Sequence, residues 1–161
     1  MAIYALKWSD QGGNGSVAYP DCAGDVVSNR YEADLAVTPL KGVTLAANDI
    51  IDVGIIPANA TVVDVILDSD DLDTGGAPAL AFDVGIMSGT PGDTVTARTC
   101  GAEFFSASTL AQAGGVARST LKTTFRVAPV GYDRSVGIKI TTAAATLATT
   151  GKLGVSVHVT G

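Results

Sequence analysis

Residues 48–86, NDIIDVGIIPANATVVDVILDSDDLDTGGAPALAFDVGI, decide the fold. Three apolar runs, Ile50–Ile56, Thr61–Leu67 and Leu80–Ile86, are separated by Pro57-Ala58-Asn59 and then by Asp68-Ser69-Asp70-Asp71-Leu72-Asp73-Thr74-Gly75-Gly76. Both separators suit turns, so the stretch reads as three successive strands. The first two strands carry so few polar residues that both of their faces need cover, from a second sheet or from a neighbouring subunit. In the third, Leu80, Phe82, Val84 and Ile86 form an inward face with Asp83 opposite.

The same period of two extends in both directions. Upstream, Tyr31, Ala33, Leu35 and Val37 alternate with Glu32, Asp34 and Ala36. Downstream, three further strands are predicted. These are Thr123–Ala128 with Phe125 and Val127 inward, Ser135–Thr142 with Val136, Ile138 and Ile140 inward, and Lys152–Thr160 with Leu153, Val155, Val157 and Val159 inward. Gly101–Gly115 is the one helical candidate: Phe104, Phe105, Ala107, Leu110 and Ala111 share a broad face, and Gly114-Gly115 supplies a stop. The expectation is an all-β protein, an antiparallel β-sandwich or barrel of jelly-roll-like form, with one short helix near residues 102–112.

Residues 31–161 read as a single β domain. Residues 1–30 read as an N-terminal arm, or a first strand, followed by a Gly-rich loop that includes Gly12-Gly13-Asn14-Gly15. A segment of this composition buries too little apolar surface to offset its ordering entropy, which points to a partner that orders it. Ile3, Tyr4, Leu6 and Trp8 are the candidate interface anchors.

Charged residues make up only 16% of the 161, against roughly 25% in an ordinary soluble domain. The net charge is -6 and the ten Lys and Arg are scattered singly, which disfavours nucleic acid as a partner. No apolar run is long enough to span a bilayer, so no membrane partner is expected. The first residues lack the features of a signal peptide, so synthesis in the cytoplasm is expected. Cys22 and Cys100 show no metal or redox spacing and read as free thiols, with a disulfide left open.

Chemistry-bearing features are few. Asp68, Asp70, Asp71 and Asp73 place four carboxylates in one turn and are the candidate metal ligands for Ca²⁺, although their spacing departs from the EF-hand rule. The competing reading is a solvated turn whose Asp side chains accept from backbone amides. His158 lies between inward-facing valines and therefore points outward. No phosphate loop, catalytic residue or cofactor is indicated.

Residues Asn48–Ala60, Val62-Val63-Asp64-Val65, Asp70-Asp71-Leu72-Asp73, Phe82-Asp83-Val84-Gly85-Ile86 and Gln112-Ala113-Gly114-Gly115 together resemble a group of tailed-bacteriophage virion proteins, the head decoration or cement proteins. They are commonly encoded beside the major capsid protein. The resemblance implies a non-catalytic β-rich protein that binds the outside of the capsid, often as a homotrimer, with the major capsid protein and its own copies as partners. A second class that the residues leave open is a carbohydrate- or receptor-binding head-fibre or tail accessory module of a phage particle.

Overall fold

In the computed structural model, which describes residues 1–6, 17–18, 20 and 24–161, nine strands form two sheets packed face to face. The strands are β1 Ile3–Ala5, β2 Val26–Asp34, β3 Ile50–Ile56, β4 Thr61–Ser69, β5 Ala81–Ile86, β6 Phe105–Ser108, β7 Gly115–Arg118, β8 Arg134–Thr142 and β9 Lys152–Thr160. One sheet has the order β1-β3-β8-β5-β6 and the other β2-β9-β4-β7. All pairings are antiparallel except β1 with β3. The all-β sandwich expected from the sequence is present, and the sheets do not close into a barrel.

The interior follows from the alternation. Tyr31 and Ala33 of β2, Val65 and Leu67 of β4, and Val155, Val157 and Val159 of β9 meet Val53, Ile56, Phe82, Val84, Val136, Ile138 and Ile140 of the opposite sheet, all of them buried. A register shift between Asp52 and Gly54 in the β3–β8 ladder marks a bulge, which re-aims the residues on either side of it. Gly54 therefore lies under the ring of Tyr31, where a Cβ would overlap the ring carbons. The Tyr31 hydroxyl donates to Ile55 O at 2.5 Å.

Three expectations are corrected. Helix formation in 102–112 is confined to a 3-10 turn at Leu110–Gln112, while Phe105–Ser108 instead pairs with β5. The open edge of β5 offers backbone partners that a short, marginal helix cannot match. Thr123–Ala128 is not a strand: Thr124–Arg126 forms a 3-10 turn, and the Thr123 and Thr124 hydroxyls donate to Glu103 O at 2.7 and 2.9 Å. Such side-chain bonds to backbone compete with a ladder, and Phe125 is left 47% exposed instead of inward. Val37 is exposed because β2 ends at Asp34.

The N-terminal segment begins with a strand, one of the two forms expected for it. β1 pairs with β3 through Ile3↔Ile50, Tyr4↔Ile51 and Ala5↔Asp52, and β2 begins at Val26 with its nine residues paired to β9. Ile3 and Leu6 are buried within the chain's own packing and Tyr4 is half-buried. Trp8 lies outside the described residues.

Gly54→Ala is expected to destabilise the fold by about 1–3 kcal/mol through overpacking against Tyr31, and Tyr31→Phe by roughly 1 kcal/mol through the lost hydrogen bond. Urea midpoints of the two variants check both values. A Gly54→Ala protein as stable as the wild type would contradict the packing described.

Candidate functional site

The acidic turn is the first candidate, and its carboxylates are held separately. Asp68 on β4 is forked by Arg30 of β2, with Arg30 Nη2 donating to Oδ2 at 2.9 Å and Nη1 to Oδ1. Asp70 accepts from the Lys152 amide at 2.9 Å, and Asp71 from the Asp73 amide at 3.1 Å. Asp73 is buried and accepts from four backbone amides, those of Ala79, Leu80, Ala145 and Thr146, at 2.7 to 3.0 Å. Among the described residues no three His, Cys, Asp or Glu side chains gather where a metal ion could sit. The structure thus does not assemble the candidate Ca²⁺ ligands, and the turn is built from carboxylates accepting backbone and guanidinium donors. Burial alone would raise the Asp73 pKa, but the four amides outweigh it and hold the carboxyl well below the usual range.

A buried polar group that sequence reading missed lies on the outer face of the first sheet. Asp52 of β3 is 0% exposed and Arg98 is 4% exposed. Arg98 Nη1 donates to Asp52 Oδ2 at 2.6 Å and to Asp93 O at 2.5 Å, Nη2 to Ser135 Oγ at 2.8 Å, and Nε to Ser88 O at 2.7 Å. Ser135 Oγ and the Gly92 amide also donate to Asp52 Oδ2, at 3.0 and 3.2 Å. The loop from Ser88 to Thr99 is thereby clasped over β8 onto β3. Beneath it Ile3, Ile50 and Met87 form a small second core with Cys100 packed against it. Asp52 itself gave a signal, a lone acid inside a fully apolar run, but its partner is 46 positions away and no local pattern links the two.

Burial is the strongest influence on Asp52 and pushes its pKa above the ordinary carboxylate value, against the pull of Arg98, Gly92 and Ser135. Burial, with Glu103 adding to it, pushes the Cys100 thiol up to about 12, so it stays protonated at neutral pH and is a poor nucleophile. Cys22 lies outside the described residues.

The outer face of the second sheet is polar and ion-paired. Arg30 reaches Asp68 and Glu32, Lys152 reaches Glu32 at 2.7 Å and Asp34 at 3.7 Å, and Arg118 reaches Asp64 at 2.8 Å. The register also sets Ser28, His158 and Asp64 abreast on β2, β9 and β4. They do not form a catalytic triad. Asp64 accepts through both oxygens from Arg118 Nε, and no hydrogen bond joins His158 to Ser28 or Asp64.

No protein-family model matches the chain, and no curated protein sequence matches it. Solved structures do. A chain of the capsid of Ralstonia phage GP4 is 43% identical, covering 99% of this chain and 97% of its own length with a TM-score of 0.89. A chain of the cyanophage Pam1 capsid asymmetric unit is 26% identical, covering 91% of this chain and 94% of its own length with a TM-score of 0.62. The fold and these likenesses define a structural protein of the phage capsid class. More narrowly, the chain belongs to the same family as that Ralstonia phage GP4 capsid chain.

Arg98→Met leaves Asp52 buried without its counter-ion and is expected to cost about 3–5 kcal/mol, with the cost reduced when Asp52 is changed to Asn in the same chain. Denaturant midpoints of the two single variants and the double variant give the coupling. The two buried aspartates carry opposite pH signs. The lowered pKa of Asp73 means that its contribution is complete above the ordinary value of 3.8 and is lost as pH falls below it. The raised pKa of Asp52 means that its contribution is largest at low pH and fades as pH rises through its folded value. Asp73→Asn, which sets an NH₂ donor against amide donors, is therefore expected to lower the melting temperature at pH 7 and to flatten its decline below about pH 4. Melting curves from pH 2 to 8 check this.

Proposed function

We propose that this chain is a decoration, or cement, protein: a non-catalytic trimer bound to the outside of a bacteriophage capsid, in contact with the major capsid protein and stabilising the shell. The observation that carries the reading is the end-to-end match to one chain of an assembled capsid, 99% of this chain on 97% of that one. Electrostatics favours the exterior. A chain of net charge -6 is on balance repelled by packaged DNA. The ion-paired outer face of the second sheet suits solvent, where exposed pairs are screened and contribute little.

Capsids that lack this chain are expected to fall apart at lower temperature than complete particles, and added purified chain is expected to restore the difference. Cryo-microscopy of decorated particles then locates it. Density inside the shell or only on the tail would end the decoration reading, and sedimentation as a 16.2 kDa monomer both free and after release from particles would end the trimer. His158→Ala is expected to leave capsid binding unchanged.

A further inference from the structure

Of the nine Lys and Arg among the described residues, four are neutralised by a neighbour and five are not, and the five are unevenly placed. Arg30, Arg98, Arg118 and Lys152 each meet a carboxylate. Lys41, Lys122, Arg126, Arg134 and Lys139 form no ion pair. Three of these five lie in or beside one connection, the loop from Lys122 to Asp133 that joins β7 to β8. Lys122 and Arg126 are exposed on it. Arg134 is buried at its base, donates Nη1 to Ala128 O at 3.1 Å, and has no acceptor within the described chain for Nε or Nη2. Glu103, the acid that acts on Arg134 electrostatically, is turned instead to the Ile86 amide at 2.9 Å. Asp133, the loop's own acid, accepts from the Ala58 amide at 2.8 Å. The loop is thus a local island of positive charge on a chain of net charge -6.

The same loop carries the two exposed aromatic side chains among the described residues, Phe125 at 47% and Tyr132 at 66% exposure, with Ala128 and Pro129 exposed between them. Beside Tyr132 opens a cleft of about 620 Å³ lined by Ala58, Gly89, Thr90, Pro91 and Asp133. Tyr and Arg are the residue types that most often dominate protein interfaces, because each combines a large rigid contact surface with polar reach. An aromatic knob beside a hollow, with the exposed Lys122 and Arg126 on the same loop, fits a protein surface that presents carboxylates. The loop is also rigidly mounted. Asn59 N donates to Val130 O at 2.6 Å, and the Thr124 hydroxyl is bonded to Ser119 Oγ and Glu103 O.

We propose that the Lys122–Asp133 loop is the surface by which this chain docks on a neighbouring capsid subunit of different sequence, which presents carboxylates to Lys122 and Arg126 and packs against Phe125 and Tyr132. The proposal rests on the decoration reading above and adds the docking surface to it. The test uses capsids assembled without this chain and measures binding of the purified chain by co-sedimentation. The variants are the double charge reversal Lys122→Glu with Arg126→Glu, the truncation Tyr132→Ala, and the control Lys41→Glu, an exposed unpaired cation on another loop.

The control is expected to bind as the wild type, whereas the double reversal and Tyr132→Ala each lose at least about tenfold in affinity. Wild-type binding is expected to weaken as salt is raised. These side chains are exposed, so melting temperatures stay at the wild-type value. Should Tyr132→Ala melt early, the charge reversal alone decides. Wild-type affinity in the double reversal overturns the docking surface while leaving the decoration role standing. A wild-type chain that fails to bind capsids removes the decoration role, and the docking surface with it. Loss of self-association in the loop variants, with capsid affinity unchanged, assigns the loop to a second copy of this chain and overturns the partner named here.

Discussion

The Arg98–Asp52 ion pair determines how the first sheet is covered. Its two ends lie on the Ser88–Thr99 loop and on β3, and Ser135 of β8 bridges them, so a single guanidinium fixes the loop across two strands. With the loop in place Ile3, Ile50 and Met87 are buried, and the apolar run of β3 has cover on its outer side as well as in the sandwich. An isolated buried pair brings little net stability, because desolvating two charges offsets most of their attraction. Here the guanidinium also satisfies the carbonyls of Ser88 and Asp93, so it replaces backbone partners that a loop lying flat on a sheet would otherwise lack.

Close approach of that loop also needs a floor without side chains. Gly85 and Gly137 sit opposite each other on β5 and β8. A Cβ on Gly137 would run into Met87 and the Cys100 sulfur, and one on Gly85 into the Gly101 backbone. The Asp-Val-Gly-Ile and Ser-Val-Gly-Ile patterns at 83–86 and 135–138 therefore serve one purpose, alternating a core valine with a glycine under the loop. Asp52, Gly54 and Gly85 all fall within the residues that carry the resemblance to phage decoration proteins, and each has a physical reason to be the residue it is.

Much of this was legible in the chain. Strands β5, β8 and β9 follow from period-two patterning, because a one-residue slip would turn an entire face to solvent, and β3 and β4 from short apolar runs bounded by turn residues. Where the pattern was weak, tertiary partners decided. Phe104 and Phe105 satisfied a helical template as well as a strand edge, and the unpaired edge of β5 settled the choice. Phe125 and Val127 alternated like a strand, yet two threonine hydroxyls bonded to one carbonyl hold that segment in a turn. The acidic turn was read in both its forms, and in the structure Asp73 accepts from four backbone amides while Asp68 meets the Arg30 guanidinium. The turn folds back against residues 145–146, more than seventy positions on, which no local spacing can reveal.

The apolar runs of β3 and β4 were read as needing cover from a second sheet or a neighbouring subunit, and the structure divides that inference into two parts. The cover over β3 comes from the chain itself, through the clasped loop, so the apolar character of residues 50–56 is no argument for a neighbouring subunit. What remains for a neighbour is set by contrast with the rest of the surface. The broad outer face of the second sheet has its charges matched across strands, and it gains little from a partner that must first strip those pairs of water. A surface with unmatched cations and exposed aromatic rings gains from both terms at once, since it exchanges an unfavourable local potential for partner carboxylates and removes apolar area from water. On an acidic chain such a surface has a further effect. It orients approach toward a partner that presents carboxylates, so encounter and docking favour the same pose.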